Sequence, residues 1–181
     1  TDTVAGMIVA KEAYGASVSP TDGYGLFPTA CPGDSMPASE HSTITSWGRE
    51  GETAAMENML DQYPMGLVAC VSDSYDIFKA CSEKWGQELK AKVLARPGPT
   101  GEGPGTLVVR PDSGDPVETS LKVVELLWEA FGGETNDKGF KVLDPHVRVI
   151  WGDGIDRESL EAILEAHKKA GWSADNIGSG S

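Results

Sequence analysis

Residues 106–131 read TLVVRPDSGDPVETSLKVVELLWEAF, and this stretch decides the fold class. The apolar run 106–109 is typical of a buried strand, and the polar segment 110–114 after it is typical of a turn. Asp115 has the features of a helix N-cap, because Pro follows it and Glu lies three residues later. The apolar residues that follow recur at helical spacing. The stretch therefore predicts a strand, a turn and an amphipathic helix.

The same pattern recurs on both sides of this stretch. Before it, the apolar run 66–71 leads into the turn 72–74, and the residues that follow at helical spacing are Tyr75, Phe78, Cys81, Trp85 and Leu89. After it, the strand 147–151 leads into the turn 152–154 and a helix capped by Asp156, and a further strand begins at 176. Repeated strand–helix units predict an α/β fold with a parallel sheet. Such sheets either close into a barrel or carry helices on both faces, and both kinds bind ligands at the carboxyl ends of the strands.

The first third of the chain has a different composition. A helical period begins at Val4 and ends near Gly15, and residues 16–40 form a long loop or insertion rich in Ser, Pro and Gly. A helix is predicted from Glu52 to Tyr63. We expect residues 1–177 to form one partial α/β domain, and residues 178–181 to be a Gly-Ser tail, either a linker or a truncated phosphate loop. The chain opens without Met, so we expect it to be a piece of a longer protein.

The charge balance excludes several classes of protein. The chain has 28 acidic and 15 basic residues and a net charge of −13, which argues against a nucleic-acid or membrane partner. No apolar stretch approaches the roughly 20 residues that a membrane helix needs.

The three cysteines lack CxxC spacing, so a disulfide scaffold and a zinc ribbon are excluded. We expect a cytoplasmic protein.

Three of the predicted strands are followed by acidic residues, and one of these turns also holds an arginine. The residues are Asp73, Arg110, Asp112 and Asp153, and we expect them to share one site. The alternative is that each Asp caps the next helix, which we favour for Asp115 and Asp156.

Such a site suits a phosphorylated sugar. Carboxylates bind ribose hydroxyls or hold Mg²⁺, and an arginine binds a phosphate or a carboxamide with its fork of N–H groups. Acids also stabilise an oxocarbenium-like transition state. Glycosyl transfer and glycosyl hydrolysis both remain open from the residues alone.

The histidines and cysteines are less informative. His41 lies in a polar run and can be a nucleophile, a proton carrier or a capping residue, and composition alone favours the last. His146 and His167 are interpreted as structural. Cys70 and Cys81 lie in apolar surroundings and are predicted to be core residues.

Five segments occur in a diagnostic order along nearly the whole chain. They are TDTVAG at 1–6, EHSTIT at 40–45, VSDSYD at 71–76, RPDSG at 110–114 and GDG at 152–154. Together they resemble the type II phosphoribosyltransferase family, and within it the nicotinamide phosphoribosyltransferases. The resemblance implies an irregular (β/α) barrel with parallel strands, helices outside and a homodimeric assembly.

The resemblance also implies the reaction. Members join nicotinamide to 5-phosphoribosyl 1-diphosphate, and give nicotinamide mononucleotide and diphosphate for NAD biosynthesis. They require Mg²⁺, and ATP is a coupled phosphoryl donor that acts through a phosphohistidine.

The resemblance implies substrate-binding roles for four residues. Asp2 matches the carboxylate that receives the nicotinamide amide nitrogen, and Arg110 matches the residue that holds the amide oxygen. Gly152 and Asp153 match contacts to the ribose and the product.

Three further residues match the catalytic groups. His41 matches the histidine that is phosphorylated. Asp73 and Asp112 match acids that organise the Mg²⁺–diphosphate, directly or through water, and the ribose.

The chain also departs from the family. Residues 20–37 look like extra sequence, and the Gly-Ser-Gly of 178–180 arrives earlier than the family's phosphate loop. We expect the ring-stacking aromatic residues and most of the basic residues for diphosphate to lie in parts of the protein outside this chain or on a partner subunit, so we expect this piece alone to be inactive. The alternatives are a non-catalytic fragment, or an enzyme for nicotinate or another pyridine. Asp2 discriminates between substrates, because a carboxylate attracts an amide donor and repels nicotinate.

Overall fold

The computed structural model describes residues 36–179, together with Ile8 and Glu12, which are both helical. Asp2, most of the predicted loop 16–40 and the last two residues lie outside the described residues. The predicted N-terminal helix is represented only by Ile8 and Glu12.

In the described part of the chain, the strands form one parallel sheet and one small hairpin. In chain order they are β1 Val68–Val71, β2 Leu107–Arg110, β3 Gly133–Thr135, β4 Lys141–Leu143, β5 Val147–Trp151 and β6 Ile177–Ser179. The main sheet has the order β1-β2-β5-β6 and all its pairs are parallel, while β3 and β4 pair antiparallel. Each new strand of the main sheet adds beside the previous one, without a reversal of order. This is the strand order of a partial (β/α) barrel, and the prediction of an α/β fold with parallel strands is confirmed. Strand β6 extends into the segment predicted as a Gly-Ser tail.

Within the described stretch 36–179, two helices precede β1, and the others connect the strands. They are α1 His41–Thr45, α2 Glu52–Gln62, α3 Ile77–Lys79, a π-helical segment Ala80–Glu88, α4 Lys90–Leu94, α5 Pro116–Phe131 and α6 Arg157–Lys169, with short 3₁₀ turns at Arg49–Gly51 and Ala174–Asn176. Helix α5 packs against both the π segment and α6, so the crossover helices lie side by side on one face of the sheet. No helix in the described part of the chain is long and apolar enough to cross a lipid bilayer.

Two predicted helix caps are confirmed. The Asp115 carboxylate accepts a 2.8 Å hydrogen bond from the Glu118 N–H at the start of α5. At the start of α6, Asp156 accepts from the Ser159 N–H at 2.8 Å, and its own N–H donates to the Ser159 hydroxyl. The Ser159 N–H and the Ser159 hydroxyl both donate to the carboxylate, and these hydrogen bonds lower the pKa of Asp156. Both carboxylates are therefore used locally, outside the candidate site.

The core lies between the sheet and these helices. Alternate strand residues such as Cys70 and Val109 are buried against Trp85 and Leu127. Burial raises the pKa of the Cys70 thiol to about 12 and raises that of Cys81 as well, so both are unreactive core groups. The prediction that they are core residues is confirmed.

The segment predicted to be helical from Tyr75 to Leu89 is helical from Ile77 to Glu88, but most of it is not α-helix. Helix α3 begins only after Asp76, whose carboxylate accepts from the backbone N–H groups of Phe78 and Lys79, and Phe78 is 43% exposed. From Ala80 to Glu88 the backbone is π-helical. The spacing of apolar residues indicates which face of a helix is buried. It does not indicate whether the backbone hydrogen bonds span four residues, as in an α-helix, or five, as in a π-helix.

Candidate functional site

The site lies at the carboxyl ends of β1, β2 and β5. Val71 pairs with Arg110 in the parallel register, which places the turns after β1 and β2 side by side. The segment before α1 runs along the free edge of β1, where the Ala69 N–H donates to the Pro37 carbonyl and the Ser39 N–H donates to the Ala69 carbonyl. This edge pairing delivers His41 to the same end of the sheet.

His41 and Asp73 form the centre of the site. The His41 Nε2 lies 2.9 Å from the Asp73 Oδ1, with the imidazole 45% exposed and the carboxylate only 2% exposed. The Asp73 Oδ2 accepts from the Asp112 N–H at 3.0 Å and from the Ser113 hydroxyl. The turn after β2 therefore holds Asp73 through Oδ2, while Oδ1 orients the His41 imidazole.

Arg110 and Asp112 form a second pair beside it. The Arg110 Nη2 donates to the Asp112 Oδ2 at 2.8 Å and Nε donates to Oδ1 at 3.3 Å, which is a two-pronged contact. The Nη1 makes only long contacts, at 3.4 Å to the Ser39 carbonyl and 3.5 Å to the Glu40 carboxylate. Burial alone lowers the pKa of Arg110, but the hydrogen bond and charge of Asp112, aided by Glu40, outweigh it and raise the pKa. The guanidinium stays charged in the site.

Gly152 lies against this pair. A Cβ added at Gly152 would lie 3.6 Å from the Asp112 Oδ1 and 3.7 Å from the Arg110 Nε. The next residue, Asp153, is exposed, and its backbone carbonyl accepts a 2.9 Å hydrogen bond from the Trp151 indole. The bare backbone of the turn after β5 thus approaches the fork of Arg110, while the Asp153 carboxylate faces solvent.

The structure therefore brings together five of the seven residues selected from the sequence. They are His41, Asp73, Arg110, Asp112 and Gly152. Asp153 lies at the rim and Asp2 lies outside the described residues. His146 contacts Asp144 and the buried His167 contacts the Ser120 hydroxyl, so both have local partners instead.

Two serines that were not among the predicted site residues support the site. The buried Ser39 accepts from the Val71 N–H at 2.9 Å and anchors the residues before His41 to β1. Ser113 donates to Asp73 from the turn after β2. Ser39 directly precedes the segment 40–45 and Ser113 lies within the segment 110–114, but a serine has many local uses, so this proximity was the only available signal.

The acids of the site do not form a closed metal cage. No group of three or more His, Cys, Asp or Glu within the described residues is placed to hold a metal ion. Both oxygens of Asp73 and both oxygens of Asp112 already have hydrogen-bond partners. This donor set fits Mg²⁺ that keeps several waters and takes other ligands from substrate phosphates.

Comparisons with known proteins agree on one family. The model of the nicotinate phosphoribosyltransferase (NAPRTase) family matches residues 1–181. The chain is similar to a protein named nicotinamide phosphoribosyltransferase from Xanthomonas campestris pv. campestris, with 48% identity over 182 residues, which is 99% of this chain and 34% of that protein. Proteins of the same name from Acinetobacter baylyi and Mycoplasma pneumoniae are 34% identical over 191 residues (98% of this chain, 35% of that protein) and 35% identical over 156 residues (79% and 33%). The chain spans about a third of the length of these relatives.

Proposed function

The chain belongs to the nicotinate phosphoribosyltransferase family, and on that premise we propose that it is part of an enzyme that makes nicotinamide mononucleotide. The reaction transfers the phosphoribosyl group of 5-phosphoribosyl 1-diphosphate to nicotinamide and releases diphosphate, a step of NAD salvage. One observation carries the proposal: His41, Asp73, Asp112 and Arg110 form one hydrogen-bonded group at the carboxyl ends of parallel strands. We also propose a cytoplasmic homodimer as the working form.

Arg110 is proposed to hold the carboxamide oxygen of nicotinamide. Its Nε and Nη2 are engaged by Asp112, whereas the contacts of Nη1 are long. The Nη1 is therefore the nitrogen that turns most easily to a substrate carbonyl. Asp2 is proposed to accept from the amide nitrogen, so that the two residues together select the carboxamide.

His41 is proposed to accept a phosphoryl group from ATP. When Nε2 carries the proton that is donated to Asp73, Nδ1 has the free lone pair and is the nucleophile. The Nδ1 forms a bond to the γ-phosphorus as the bond to ADP breaks. Asp73 then stabilises the positive charge on the phosphorylated ring, which is the usual task of a carboxylate behind a histidine.

Asp73 and Asp112 are proposed to contact Mg²⁺ through its waters, because their oxygens are already hydrogen-bonded. When bound, the ion supplies positive charge to the departing diphosphate. The exposed Asp153 is proposed to bind ribose hydroxyls. Gly152 leaves room beside Arg110 for the sugar, since any side chain there would extend toward the fork.

A second candidate substrate is nicotinate, because the matching family model is named for it. The experiment that decides is a comparison of kcat/KM for nicotinamide and nicotinate in the full-length enzyme and in Asp2→Asn. We expect a preference for nicotinamide that shrinks in the variant, since the repulsion of the nicotinate carboxylate is removed. If the unaltered enzyme prefers nicotinate, nicotinate is the substrate. If it turns over neither compound, the proposal is wrong.

A further inference from the structure

Two consecutive residues of the π segment reach two different parts of the site's framework. The Lys84 Nζ lies 3.5 Å from the buried Glu52 carboxylate and donates to the Thr53 hydroxyl at 3.2 Å, at the start of α2. The Trp85 indole is fully buried, and its Nε1 donates to the Ser72 hydroxyl at 3.0 Å. The segment thus contacts the helix that follows His41 and the residue that precedes Asp73.

Ser72 is held from three sides. Its N–H donates to the Arg110 carbonyl at 3.0 Å, its hydroxyl donates to the Cys70 carbonyl at 2.9 Å, and the same hydroxyl accepts from Trp85. Ser72 is fully buried, so water does not replace these partners. Because Asp73 follows Ser72 directly in the chain, a fixed Ser72 backbone restrains the position of the Asp73 Cα and, through it, of the carboxylate.

Trp85 lies within the π-helical segment Ala80–Glu88. The Leu89 N–H donates to the Lys84 carbonyl, five residues earlier, at 2.8 Å. A Cβ added at Gly86 would lie 2.7 Å from the Cys81 carbonyl oxygen and 2.9 Å from the Ala130 Cβ, so glycine is needed where the wide turn approaches α5. One extra residue in a helical turn rotates the side chains that follow by about 100°. π turns within helices are frequent at functional sites.

We propose that Trp85 is a positioning residue for the His41–Asp73 pair and acts through Ser72. The proposal rests on the proposed function of that pair. The hydrogen-bond path is continuous: Trp85 fixes Ser72, and the adjoining Asp73 binds both the imidazole and the Asp112 N–H. A tryptophan that only filled the core would leave the geometry of Asp73 unchanged when its N–H was removed.

The test is amide hydrogen exchange in the full-length protein, measured at residue resolution. Trp85→Phe keeps an aromatic ring in the core and removes the N–H donor. We expect exchange at the Asp112 amide, which donates to Asp73, to rise about 2- to 13-fold, the range for one neutral hydrogen bond. The Leu107 amide, which donates to the His146 carbonyl within the sheet, should keep its rate.

The matched control is Trp128→Phe. Trp128 is a half-buried indole of α5 that packs edge-on against Trp172, with 5.5 Å between the ring centroids. We expect no change at the Asp112 amide in this variant. Equal rises at Asp112 and Leu107 in Trp85→Phe, or no rise at Asp112, would show that Trp85 only packs.

A second variant keeps the proposal testable if Trp85→Phe folds poorly. Ser72→Ala removes the acceptor, so it should raise exchange at Asp112 to a similar extent, and the double variant should add nothing further. Additive effects would refute the path through Ser72. In the enzyme assay we expect Trp85→Phe to lower kcat and leave KM for nicotinamide within twofold. The exchange result stands even if the protein does not use nicotinamide, so the two proposals fail separately.

Discussion

Asp73→Asn tests the central pair most sharply, because it keeps the shape of the side chain and changes one hydrogen-bond direction. Two donors, the Asp112 N–H and the Ser113 hydroxyl, converge on the Asp73 Oδ2. The amide oxygen of the asparagine therefore takes that side, and its NH₂ group faces His41. An NH₂ group donates to Nε2, so the imidazole proton moves to Nδ1 and the proposed nucleophilic lone pair is lost.

The expected loss is at least that of one charge-assisted hydrogen bond. Such a bond contributes about 1.5–3 kcal/mol, so phosphorylation of His41 should slow by about 10- to 150-fold. The same Asp-to-Asn substitution in serine-protease triads lowers kcat by about 10⁴-fold. This value is the upper limit of the loss that we expect, and it applies when the imidazole is almost entirely in the wrong tautomer. The contact of the side chain with the turn after β2 is retained, so the free energy of unfolding should change by less than about 1.5 kcal/mol.

The assay is the initial rate of phosphoryl transfer from labelled ATP to the full-length protein with Mg²⁺, read as an acid-labile, base-stable adduct. Asp115→Asn is the matched control, since Asp115 only caps α5. The control should label at the normal rate. Normal labelling of Asp73→Asn would refute the orientation argument, because the tautomer would then have no influence on the nucleophile.

The other predictions concern the substrate, the nucleophile, the piece of chain and pH. Arg110→Ala should lower kcat/KM for nicotinamide by one to two decades through loss of a charge-assisted contact worth about 1.5–3 kcal/mol, and an unchanged value would remove its assigned role. His41→Ala should abolish the phosphoryl adduct and leave a slower, ATP-independent transferase, whereas persistent labelling would place the phosphate elsewhere. The 181-residue chain alone should not turn over nicotinamide, because losing the positioning of the two substrates raises the barrier by roughly 7–11 kcal/mol. Formation of nicotinamide mononucleotide at about 1 s⁻¹ or faster, on the order of typical enzymes, would contradict this prediction. Burial lowers the pKa of His167 below its ordinary value of 6.5, so the unfolded chain binds more protons than the folded chain in acid. The free energy of unfolding should therefore fall as the pH drops below about 6.5, which urea unfolding at several pH values checks. If His167→Gln loses stability with falling pH as steeply as the unaltered protein, the loss belongs to other groups.

The elements that the sequence predicts well depend on near neighbours. The caps at Asp115 and Asp156 each use a partner three residues away, and the strand from Val147 to Trp151 is found where the apolar run lies. The hairpin of β3 and β4 was not predicted, because every residue of β3 is exposed and no apolar alternation marks it. It is specified by the turn, where the Asn136 side chain accepts from the N–H groups of Lys138 and Phe140.

The sequence by itself determined that acids and an arginine follow parallel strands, and therefore which end of the sheet carries the polar groups. Only the tertiary structure decided that the strand order is β1-β2-β5-β6, without the reversal of a doubly wound sheet. It also decided which polar groups meet: Asp73 pairs with His41, 32 residues away, whereas the Asp153 carboxylate stays at the rim. The physical reason is that strand order and register are set by hydrogen bonds between distant segments, and the direction of each side chain follows from that register. The spacing of residues along the chain therefore predicts neither the strand order and register nor the direction of these side chains.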